Sequence, residues 1–346
     1  METAQSDKRT ILTVEDLRVH FELDQGTVRA VDGVTFSVLQ GEIVGLIGES
    51  GCGKTVTAQA VMRIVPSPGR IASGSIRLYR DGAERESVDI ATLSGHGEEV
   101  RRIRGGEISM IFQEPMTSFS PVHTVGNQIT EAIRLHRDMD KPHARDLTIE
   151  MLARVGIPKA AQRFDAYPFQ LSGGMRQRAM IAMALSTRPR LLIADEPTTA
   201  LDVTIQAQIL ELMKALQAEF GMAILLITHN LGVVAEVCRH VAVMYLGRIV
   251  ETAEVGPLFE NPLHPYTKAL MDSIPKISQR VGKLKVIRGS VPDPFAKLPG
   301  CPFFPRCDFA MSGKCDVGGP PSLFEVRPGH RAACLLYEQS TEARMP

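Results

Sequence analysis

The sequence predicts an α/β protein with a parallel β-sheet, followed by a small, irregular, cysteine-rich C-terminal extension. Continuously apolar segments of strand length alternate with amphipathic helical segments, as in parallel sheets that are buried on both faces. A glycine-rich loop stands between one such strand and the next helix, which is typical of phosphate-binding proteins. After about residue 255, proline and glycine become frequent and periodicity fades, which indicates that a second region begins there.

The elements are expected in the following order. A flexible N-terminus at 1–10 precedes short strands at 11–47, which end in the buried strand EIVGLIG. KTVTAQAVMRIV has helical spacing, and 66–106 are expected to hold loops and edge strands. Helical periodicity returns in IEMLARVGI and RQRAMIAMALST. RLLIAD and AILLIT are expected to be buried parallel strands, with the amphipathic helix TIQAQILELMKALQAEF between them. We therefore place one domain at 11–255 and the extension at 256–346.

Composition excludes some classes of function. The 346 residues carry 39 Lys and Arg against 39 Asp and Glu, so no basic excess indicates a nucleic-acid partner. Tryptophan is absent and aromatic residues make up 5%, which also argues against an aromatic platform for nucleic acid. Apolar runs such as AILLI are too short to span a bilayer, and METAQSDKRT lacks a secretory pattern. We expect a soluble intracellular protein that would act at a membrane only peripherally.

The segment GESGCGKT fits the phosphate-binding pattern G-x-x-x-x-G-K-[ST]. Its glycines let backbone N–H groups point at phosphate oxygens, and the next helix presents its positive N-terminal end. Lys54 is expected to bridge the β- and γ-phosphates, and the Thr55 hydroxyl to bind Mg²⁺. Cys52 is expected to have a lowered thiol pKa, because it lies beside Lys54 at a helix N-terminus. The predicted ATP-binding residues are Gly48, Glu49, Ser50, Gly51, Cys52, Gly53, Lys54, Thr55 and Val56.

Two further segments add to the predicted chemistry. In LLIADEPTTALD a buried strand delivers Asp195, which can hold Mg²⁺ through water, and Glu196, which can polarise an attacking water. In LSGGMRQR the residues Ser172, Gly173 and Gly174 precede a helix and form a second anion-binding nest. Taken singly, the acidic pair would fit a solvated strand end, and the serine a helix cap. One γ-phosphate cannot easily occupy two nests of one domain. We therefore expect two such ATPase domains to face each other, so that the nest of each completes the ATP site of the other.

Residues 11–255 resemble the ATPase subunits of ABC transporters. The glycine-rich loop, IFQEP, LSGGMRQR, IADEPTTALD and ITHN stand in that family's order and spacing. The resemblance implies a RecA-like parallel core with an antiparallel β edge and a helical subdomain at about 115–180. It assigns Mg²⁺ binding and relay of nucleotide state to Gln113, and general-base catalysis to Glu196. The other residues that the family implies are His229 for the γ-phosphate, Asp202 for the dimer seam, and Leu171, Ser172, Gly173, Gly174 and Gln177 for ATP bound to the opposing subunit.

Three positions qualify the resemblance. Phe21 is the candidate for stacking on adenine, with packing in the core as the alternative. Cys52 stands where the family often has serine, and Asn230 where this subfamily usually has aspartate. Neither of the last two departures removes a catalytic atom.

The segments NPLHPYTKAL and GCPFFPRC resemble the C-terminal extension of oligopeptide/dipeptide importer ATPases, in particular the D-type subunit. This implies ATP-driven uptake of di- or oligopeptides at the cytoplasmic face of the inner membrane. The implied partners are a homologous F-type ATPase subunit, two transmembrane permease subunits and an extracytoplasmic substrate-binding protein. Nickel, glutathione and opines remain alternative substrates. A soluble ABC ATPase is disfavoured because the chain has neither a second cassette nor a coiled coil, and a mere redox sensor because Glu196 and His229 are intact.

The extension carries four cysteines, Cys301, Cys307, Cys315 and Cys334, spaced C-x5-C-x7-C-x18-C. Four thiolates can hold zinc or a 4Fe–4S cluster. Zinc ligands usually come in close C-x2–4-C couples, which this spacing lacks, so we place the cluster ahead of zinc and both ahead of disulfides. Buried core cysteines are the plain alternative. A metal centre would stabilise an extension with little apolar periodicity, His264 and Tyr266 would help to dock it, and ATP binding is expected not to depend on it.

Overall fold

The computed structural model of the chain describes residues 9–80, 87–114, 118–199, 201–273 and 287–338. The predicted flexible N-terminus lies, as far as residue 8, outside these ranges. The strands are β1 (Thr10–Leu23), β2 (Gly26–Leu39), β3 (Ile43–Ile47), β4 (Gly69–Tyr79), β5 (Ser87–Asp89), β6 (Ile108–Ile111), β7 (Leu191–Asp195), β8 (Ala223–Thr228), β9 (His240–Tyr245), β10 (Arg248–Glu254), β11 (Phe324–Arg327) and β12 (His330–Ala332). The α-helices are α1 (Lys54–Val61), α2 (Glu98–Arg102), α3 (Val125–His136), α4 (Lys141–Arg154), α5 (Ala160–Arg163), α6 (Gly173–Leu185), α7 (Val203–Phe220), α8 (Leu231–Val237), α9 (Val255–Glu260) and α10 (Pro265–Asp272). No helix within the described ranges is long and apolar enough to cross a bilayer.

The described residues form two compact units, one of 9–12, 38–43 and 78–227, the other of 13–37, 44–77 and 228–338. In the first unit β7 pairs in parallel with both β6 and β8. Every residue of β6, β7 and β8 is buried, as continuously apolar strands require. The predicted strands RLLIAD and AILLIT are thereby confirmed.

Helices α3 to α7 also belong to the first unit, and short polar side chains cap the starts of α3, α4, α6 and α7. Thr124 and Asp140 accept hydrogen bonds from backbone N–H groups of the first turns of α3 and α4. At the other end of α7, Gly221 adopts the left-handed conformation with φ 64° and stops the helix. The predicted helix TIQAQILELMKALQAEF is confirmed as α7, and the helical segment before LLIAD as α6.

In the second unit, β9 pairs in parallel with β3 and antiparallel with β10. β12 then pairs antiparallel with both β10 and β11. β1, β2 and β4 lie almost entirely in this unit, and β1 stands between the other two. The extension is therefore not wholly irregular: it contains α9, α10, β11 and β12, and β12 joins it to the strand that precedes residue 255.

Candidate functional site

The loop between β3 and α1 is the predicted phosphate-binding loop, and its backbone can be built only with glycine at two points. Gly48 and Gly53 have φ angles of 153° and 105°. A Cβ atom on Gly48 would lie 2.1 Å from the carbonyl oxygen of Met244, and one on Gly53 would lie 2.2 Å from that of Ala30. Any side chain at either position would collide with backbone, so the curl of the loop follows from close packing against β9 and β2.

Lys54 is buried at the first position of α1. Its Nζ atom donates hydrogen bonds to the carbonyl oxygens of Gly48 and Glu49, over 2.8 and 2.9 Å. The loop's own carbonyl groups therefore position the ammonium that is predicted to bind phosphate. Around it Ser50 and Gly51 are exposed, while the next residues of α1, Thr55 and Val56, are half-buried.

Cys52 does not have the environment expected from its neighbours in sequence. Its side chain is buried, with 4% of the residue exposed, and burial raises the pKa of the thiol more than Lys54 lowers it. The Lys54 Nζ atom lies 3.7 Å from the Cys52 sulfur. The prediction of a lowered pKa was wrong because it counted the helix N-terminus and the lysine charge but not desolvation.

A cavity of about 670 Å³ adjoins the loop at Gly51 and is also lined by Arg29, Arg248 and Phe295. This volume falls in the range of small-molecule sites. Phe21, the predicted adenine platform, is half-buried, and its ring packs directly against Gly69.

Asp195 ends β7 as predicted and is buried, and Glu196 follows the strand and is half-buried. The Glu196 backbone has a φ of 47°, a left-handed conformation that is uncommon outside glycine and clusters at functional sites. Its N–H group donates to the carbonyl oxygen of Ile227 over 2.8 Å. Its carboxylate oxygen Oε2 accepts from Gln113 Nε2 over 3.1 Å and from the Thr199 hydroxyl over 2.9 Å. The structure thus brings Gln113 and Glu196 together.

The segment LSGGMRQR starts α6 with Ser172 as its cap. The Ser172 hydroxyl oxygen accepts a hydrogen bond from the Met175 N–H group over 3.3 Å. Ser172 and Gly173 are exposed, Gly174 is half-buried, and Leu171 is buried. The exposed start of α6 leaves the predicted nest accessible from outside the chain.

Gln177 and Asp202 have structural contacts of their own. Gln177 is buried, and its Nε2 atom donates to the carbonyl oxygen of Pro197, next to Glu196, over 2.5 Å. Asp202 is exposed and caps α7 by accepting from the Ile205 N–H group over 3.0 Å. Gln177 therefore joins α6 to the loop that carries the predicted catalytic carboxylate.

His229 is exposed between β8 and α8. The residue after it, Asn230, caps α8: its side-chain oxygen accepts from the N–H groups of Gly232 and Val233 over 3.0 and 3.3 Å. Its own N–H group donates to the Thr228 hydroxyl over 3.0 Å. Asparagine therefore supplies the cap that an aspartate would supply here, and the departure from the family pattern leaves the turn intact.

The four cysteines of the extension line one cavity, together with Phe303, Phe304 and Phe309. None of the four forms a disulfide bond, and the Cys301 N–H group donates to the Cys315 carbonyl oxygen over 2.7 Å. Burial raises the pKa of Cys301 and Cys307, and that of Cys334 to about 11. Among the described residues, no group of three or more His, Cys, Asp or Glu side chains is arranged to hold a metal ion.

A buried network, absent from the sequence-based predictions, attaches the extension to β10. Glu251 is fully buried and accepts hydrogen bonds from the N–H groups of Leu263 and His264 over 2.7 and 2.8 Å. Its Oε1 atom also lies 2.6 Å from Nε2 of the buried His330. His264 in turn caps α10 by accepting from the Tyr266 N–H group over 3.0 Å. The expected docking role of His264 and Tyr266 agrees with this burial.

The ion pair of Arg306 was also absent from the sequence-based predictions, although one feature of the sequence indicates it. Arg306 is the only charged residue in the otherwise apolar segment CPFFPRC. An isolated charge in such a segment is either exposed or paired, and in this chain it is buried and paired with Glu49.

Comparisons with known proteins give the family. The family described as ABC transporter matches residues 31–199, and the family described as oligopeptide/dipeptide transporter, C-terminal region, matches residues 250–315. The chain is 51% identical over 331 residues to the oligopeptide transport ATP-binding protein AppD of Bacillus subtilis (strain 168), covering 95% of this chain and 98% of AppD. It is 45% identical over 324 residues to the dipeptide transport ATP-binding protein DppD of Escherichia coli (strain K12), covering 94% and 96%.

Solved structures show the same fold. The ATP-binding cassette MJ0796, solved as a dimer in a post-hydrolysis state with ADP and Pi, matches with a TM-score of 0.62 at 23% identity, covering 71% of this chain and 99% of that one. The cbiO1 protein of Clostridium perfringens, part of the ABC transporter complex cbiONQ, matches with a TM-score of 0.59 at 26% identity, covering 73% and 92%. Fold and loop together define an ABC-type ATPase. The chain belongs to the ABC transporter ATP-binding proteins that carry the oligopeptide/dipeptide transporter C-terminal region.

Proposed function

We propose that this protein hydrolyses ATP to power the uptake of di- or oligopeptides. The observation that carries the proposal is the likeness to AppD and DppD, which extends over nearly the whole of each chain and includes the extension. The glycine-rich loop with its buried lysine, and the cavity of about 670 Å³ beside it, support ATP as the ligand. The names of the two relatives describe oligopeptide transport and dipeptide transport.

Each half of the proposed chemistry has its own residues. The loop N–H groups and Lys54 bind the phosphates, because a positive charge and inward-facing donors lower the cost of holding a triphosphate. Thr55, Gln113 and Asp195 are the residues that would hold Mg²⁺, which neutralises charge on the β- and γ-phosphates when it is bound. Hydroxyl, amide and carboxylate oxygens are the hard ligands that this ion prefers.

Glu196 acts as the general base in this proposal. Its carboxylate takes a proton from the attacking water, and the hydrogen bonds from Gln113 and Thr199 fix its orientation. Because Gln113 contacts the base directly, a shift of this glutamine would change the geometry of the base. That contact supports the predicted relay role of Gln113. His229 would stabilise the γ-phosphate from an exposed turn.

The exposed start of α6 supports assembly with a second ATPase subunit. Ser172, Gly173 and Gly174, with Leu171 and Gln177 behind them, would complete the ATP site of an F-type partner, and Asp202 would lie at the seam. Two permease subunits and an extracytoplasmic substrate-binding protein would complete a transporter. The chain, with its ATPase domain at 11–255 and its extension at 256–346, would bind peripherally to the cytoplasmic face of the inner membrane.

We further propose a 4Fe–4S cluster in the extension. The support for this proposal is that four cysteines, the usual ligand set of such a cluster, line one cavity of the extension. Zinc is the weaker alternative, because the spacing C-x5-C-x7-C-x18-C lacks the close C-x2–4-C couples that zinc sites usually have. When bound, the cluster would link four separate points of the extension and so stabilise it.

A transport experiment tests the proposed function. Deleting the gene in its host should abolish uptake of a labelled dipeptide and a labelled longer peptide, and the wild-type gene should restore it. Glu196→Gln should not restore it, whereas Glu219→Gln, a matched change on the exposed face of α7, should. Normal peptide uptake in the deletion strain, with loss of nickel, glutathione or opine uptake, would overturn the assignment to peptides.

A further inference from the structure

The C-terminal extension holds one residue of the glycine-rich loop at two points. The backbone N–H group of Glu49 donates a hydrogen bond to the Tyr266 hydroxyl oxygen over 2.8 Å. The Glu49 carboxylate forms a bidentate ion pair with Arg306, with Nη1–Oε2 and Nη2–Oε1 distances of 2.7 and 3.0 Å. Arg306 is 257 residues from Glu49 in the chain. The C-terminal extension therefore anchors the glycine-rich loop.

Arg306 is held from several sides, with 4% of its side chain exposed. Its Nε atom donates to the carbonyl oxygen of Arg288 over 3.0 Å. Its guanidinium carbon lies 5.8 Å from the ring centre of Tyr245 and 6.0 Å from that of Phe303. A planar guanidinium fits a carboxylate through two parallel hydrogen bonds, which an ammonium cannot reproduce. The pair therefore fixes the position of the Glu49 side chain.

The turn that presents Arg306 is built on the cysteines. The Phe304 N–H group donates to the Cys301 carbonyl oxygen over 3.0 Å, and the Cys307 N–H group donates to the Phe304 carbonyl oxygen over 3.2 Å. The Cys301 N–H group donates to the Cys315 carbonyl oxygen. Because Arg306 lies between Cys301 and Cys307, the position of its side chain depends on how these cysteines are held.

On its other side, Glu49 contacts the residue that is proposed to bind phosphate. The Glu49 carbonyl oxygen accepts a hydrogen bond from Lys54 Nζ over 2.9 Å. Glu49 is also the only acidic residue in GESGCGKT. A carboxylate in a loop that binds a triphosphate would repel the ligand unless a positive charge neutralises it. Arg306 supplies that charge from a buried position, where solvent screens the interaction little.

We propose that the cysteine-rich extension positions the phosphate-binding loop, with Arg306 as the positioning residue, so that ATP affinity depends on an intact cysteine turn. This inference rests on the proposed ATP site at the loop. It reverses the expectation that ATP binding is independent of the extension. The backbone hydrogen bonds of the turn from Cys301 to Cys307, the Arg306–Glu49 ion pair and the hydrogen bond from Lys54 to Glu49 provide the physical connection.

The test is an equilibrium titration of the full-length chain with ATP, without Mg²⁺ so that no hydrolysis occurs. Arg306→Met removes the charge but keeps the apolar length of the side chain, and it should weaken ATP binding about tenfold or more. The ATP affinity of Arg306→Lys should lie between those of Arg306→Met and the wild type, because lysine keeps the positive charge but cannot form the two parallel hydrogen bonds. Arg80→Met removes an arginine that pairs with Glu99 and Glu107, and should leave ATP affinity unchanged.

A double variant separates positioning from damage to the fold. If the unpaired Glu49 carboxylate weakens binding, Glu49→Gln should recover most of the affinity that Arg306→Met loses. A variant that has merely unfolded the extension would not be rescued by this change. Failure of the rescue would overturn the role of the Arg306–Glu49 pair.

The cysteine arm uses Cys301→Ser. This variant should weaken ATP binding in the wild-type background and should have a smaller effect in the Glu49→Gln background. Wild-type affinity in both Arg306→Met and Cys301→Ser would overturn the inference. Lys54→Ala, which should abolish tight ATP binding, separates the two proposals. If Lys54→Ala loses ATP and Arg306→Met does not, only the positioning role fails; if neither loses ATP, the ATP site itself is misplaced.

Discussion

Gln113 and Glu196 are joined by a hydrogen bond, from Nε2 of the glutamine to Oε2 of the carboxylate over 3.1 Å. The Thr199 hydroxyl donates to the same oxygen over 2.9 Å. Two donors on one oxygen orient the carboxylate. Both residues lie in the first unit. Gln113 follows β6 and Glu196 follows β7. A movement of the residues after β6 therefore reaches the proposed base directly.

Glu196→Gln should keep ATP binding and lower ATP turnover by about 10²-fold or more. The amide has the same shape as the carboxylate but cannot accept a proton from water. The measurement is steady-state ATP hydrolysis by the chain assembled with its partner subunits, beside an ATP-binding titration. Glu219→Gln, an exposed carboxylate that pairs with Arg154, serves as the control and should hydrolyse ATP normally. Hydrolysis near the wild-type rate by Glu196→Gln would remove this residue from the role of base.

Cys52 should react slowly with alkylating reagents, in contrast to what its neighbours in sequence suggest. The thiolate is the reactive form, and burial both raises the pKa of this thiol and blocks access to it. Mass spectrometry after a timed iodoacetamide pulse should find Cys52 largely unmodified in the folded chain and modified in denaturant. Cys238, whose pKa burial raises to about 12, should be similarly protected. Rapid labelling of Cys52 alone in the folded protein would contradict this prediction.

Local patterns were enough to predict most strands, helices and the loop. β7 and β8 are short, apolar and bounded by polar residues, and α7 has both an amphipathic repeat and a glycine at its end. Ser172 and Asp202 precede helices that they cap. Each of these signals lies within a few residues of the element that it predicts.

Long-range contacts could not be predicted in this way. Glu49 and Arg306 are 257 residues apart, and Glu251 and His330 are 79 apart. No local periodicity connects such positions, since their proximity depends on the pairing of whole strands. The error at Cys52 has the same origin, because burial is a property of the packed structure and outweighs the charge beside it.

Glu251→Ala should destabilise the attachment of the extension by about 3–5 kcal/mol. It leaves the N–H groups of Leu263 and His264 and the ring of His330 without their shared acceptor in a buried site. Denaturant unfolding followed by amide exchange across α10 measures the loss. Glu254→Ala removes a neighbouring carboxylate that is half exposed, and should cost little. Equal losses in the two variants would show that burial of Glu251 has no special importance.

His264 should make the extension sensitive to acid. Burial lowers its pKa from the ordinary value of 6.5 to about 4. At pH values between these two pKa values, the unfolded chain binds a proton at His264 that the folded chain does not. The contribution of neutral His264 to the stability of the extension is therefore complete above about pH 6.5 and is lost as the pH falls towards about 4. The loss amounts to about 3 kcal/mol. His264→Asn keeps an acceptor for the Tyr266 N–H group and should lack this part of the pH dependence, measured by amide exchange across α10.

Anaerobically purified protein should be brown, with about four irons per chain and broad absorbance near about 400 nm. Changing any one of Cys301, Cys307, Cys315 or Cys334 to Ser should lose iron and increase amide exchange beyond about residue 290, because ligand binding and local folding are coupled. Cys238→Ser changes a buried thiol that does not line the four-cysteine cavity, and should keep its iron. A content of one zinc and no iron per chain would show that the four cysteines bind a single zinc ion and not a cluster. Absence of metal, with all four thiols titratable in the folded chain, would show that these cysteines serve only in packing. Iron content and ATP affinity should then be compared across the same variants, since the contact between Arg306 and Glu49 predicts that they fall together.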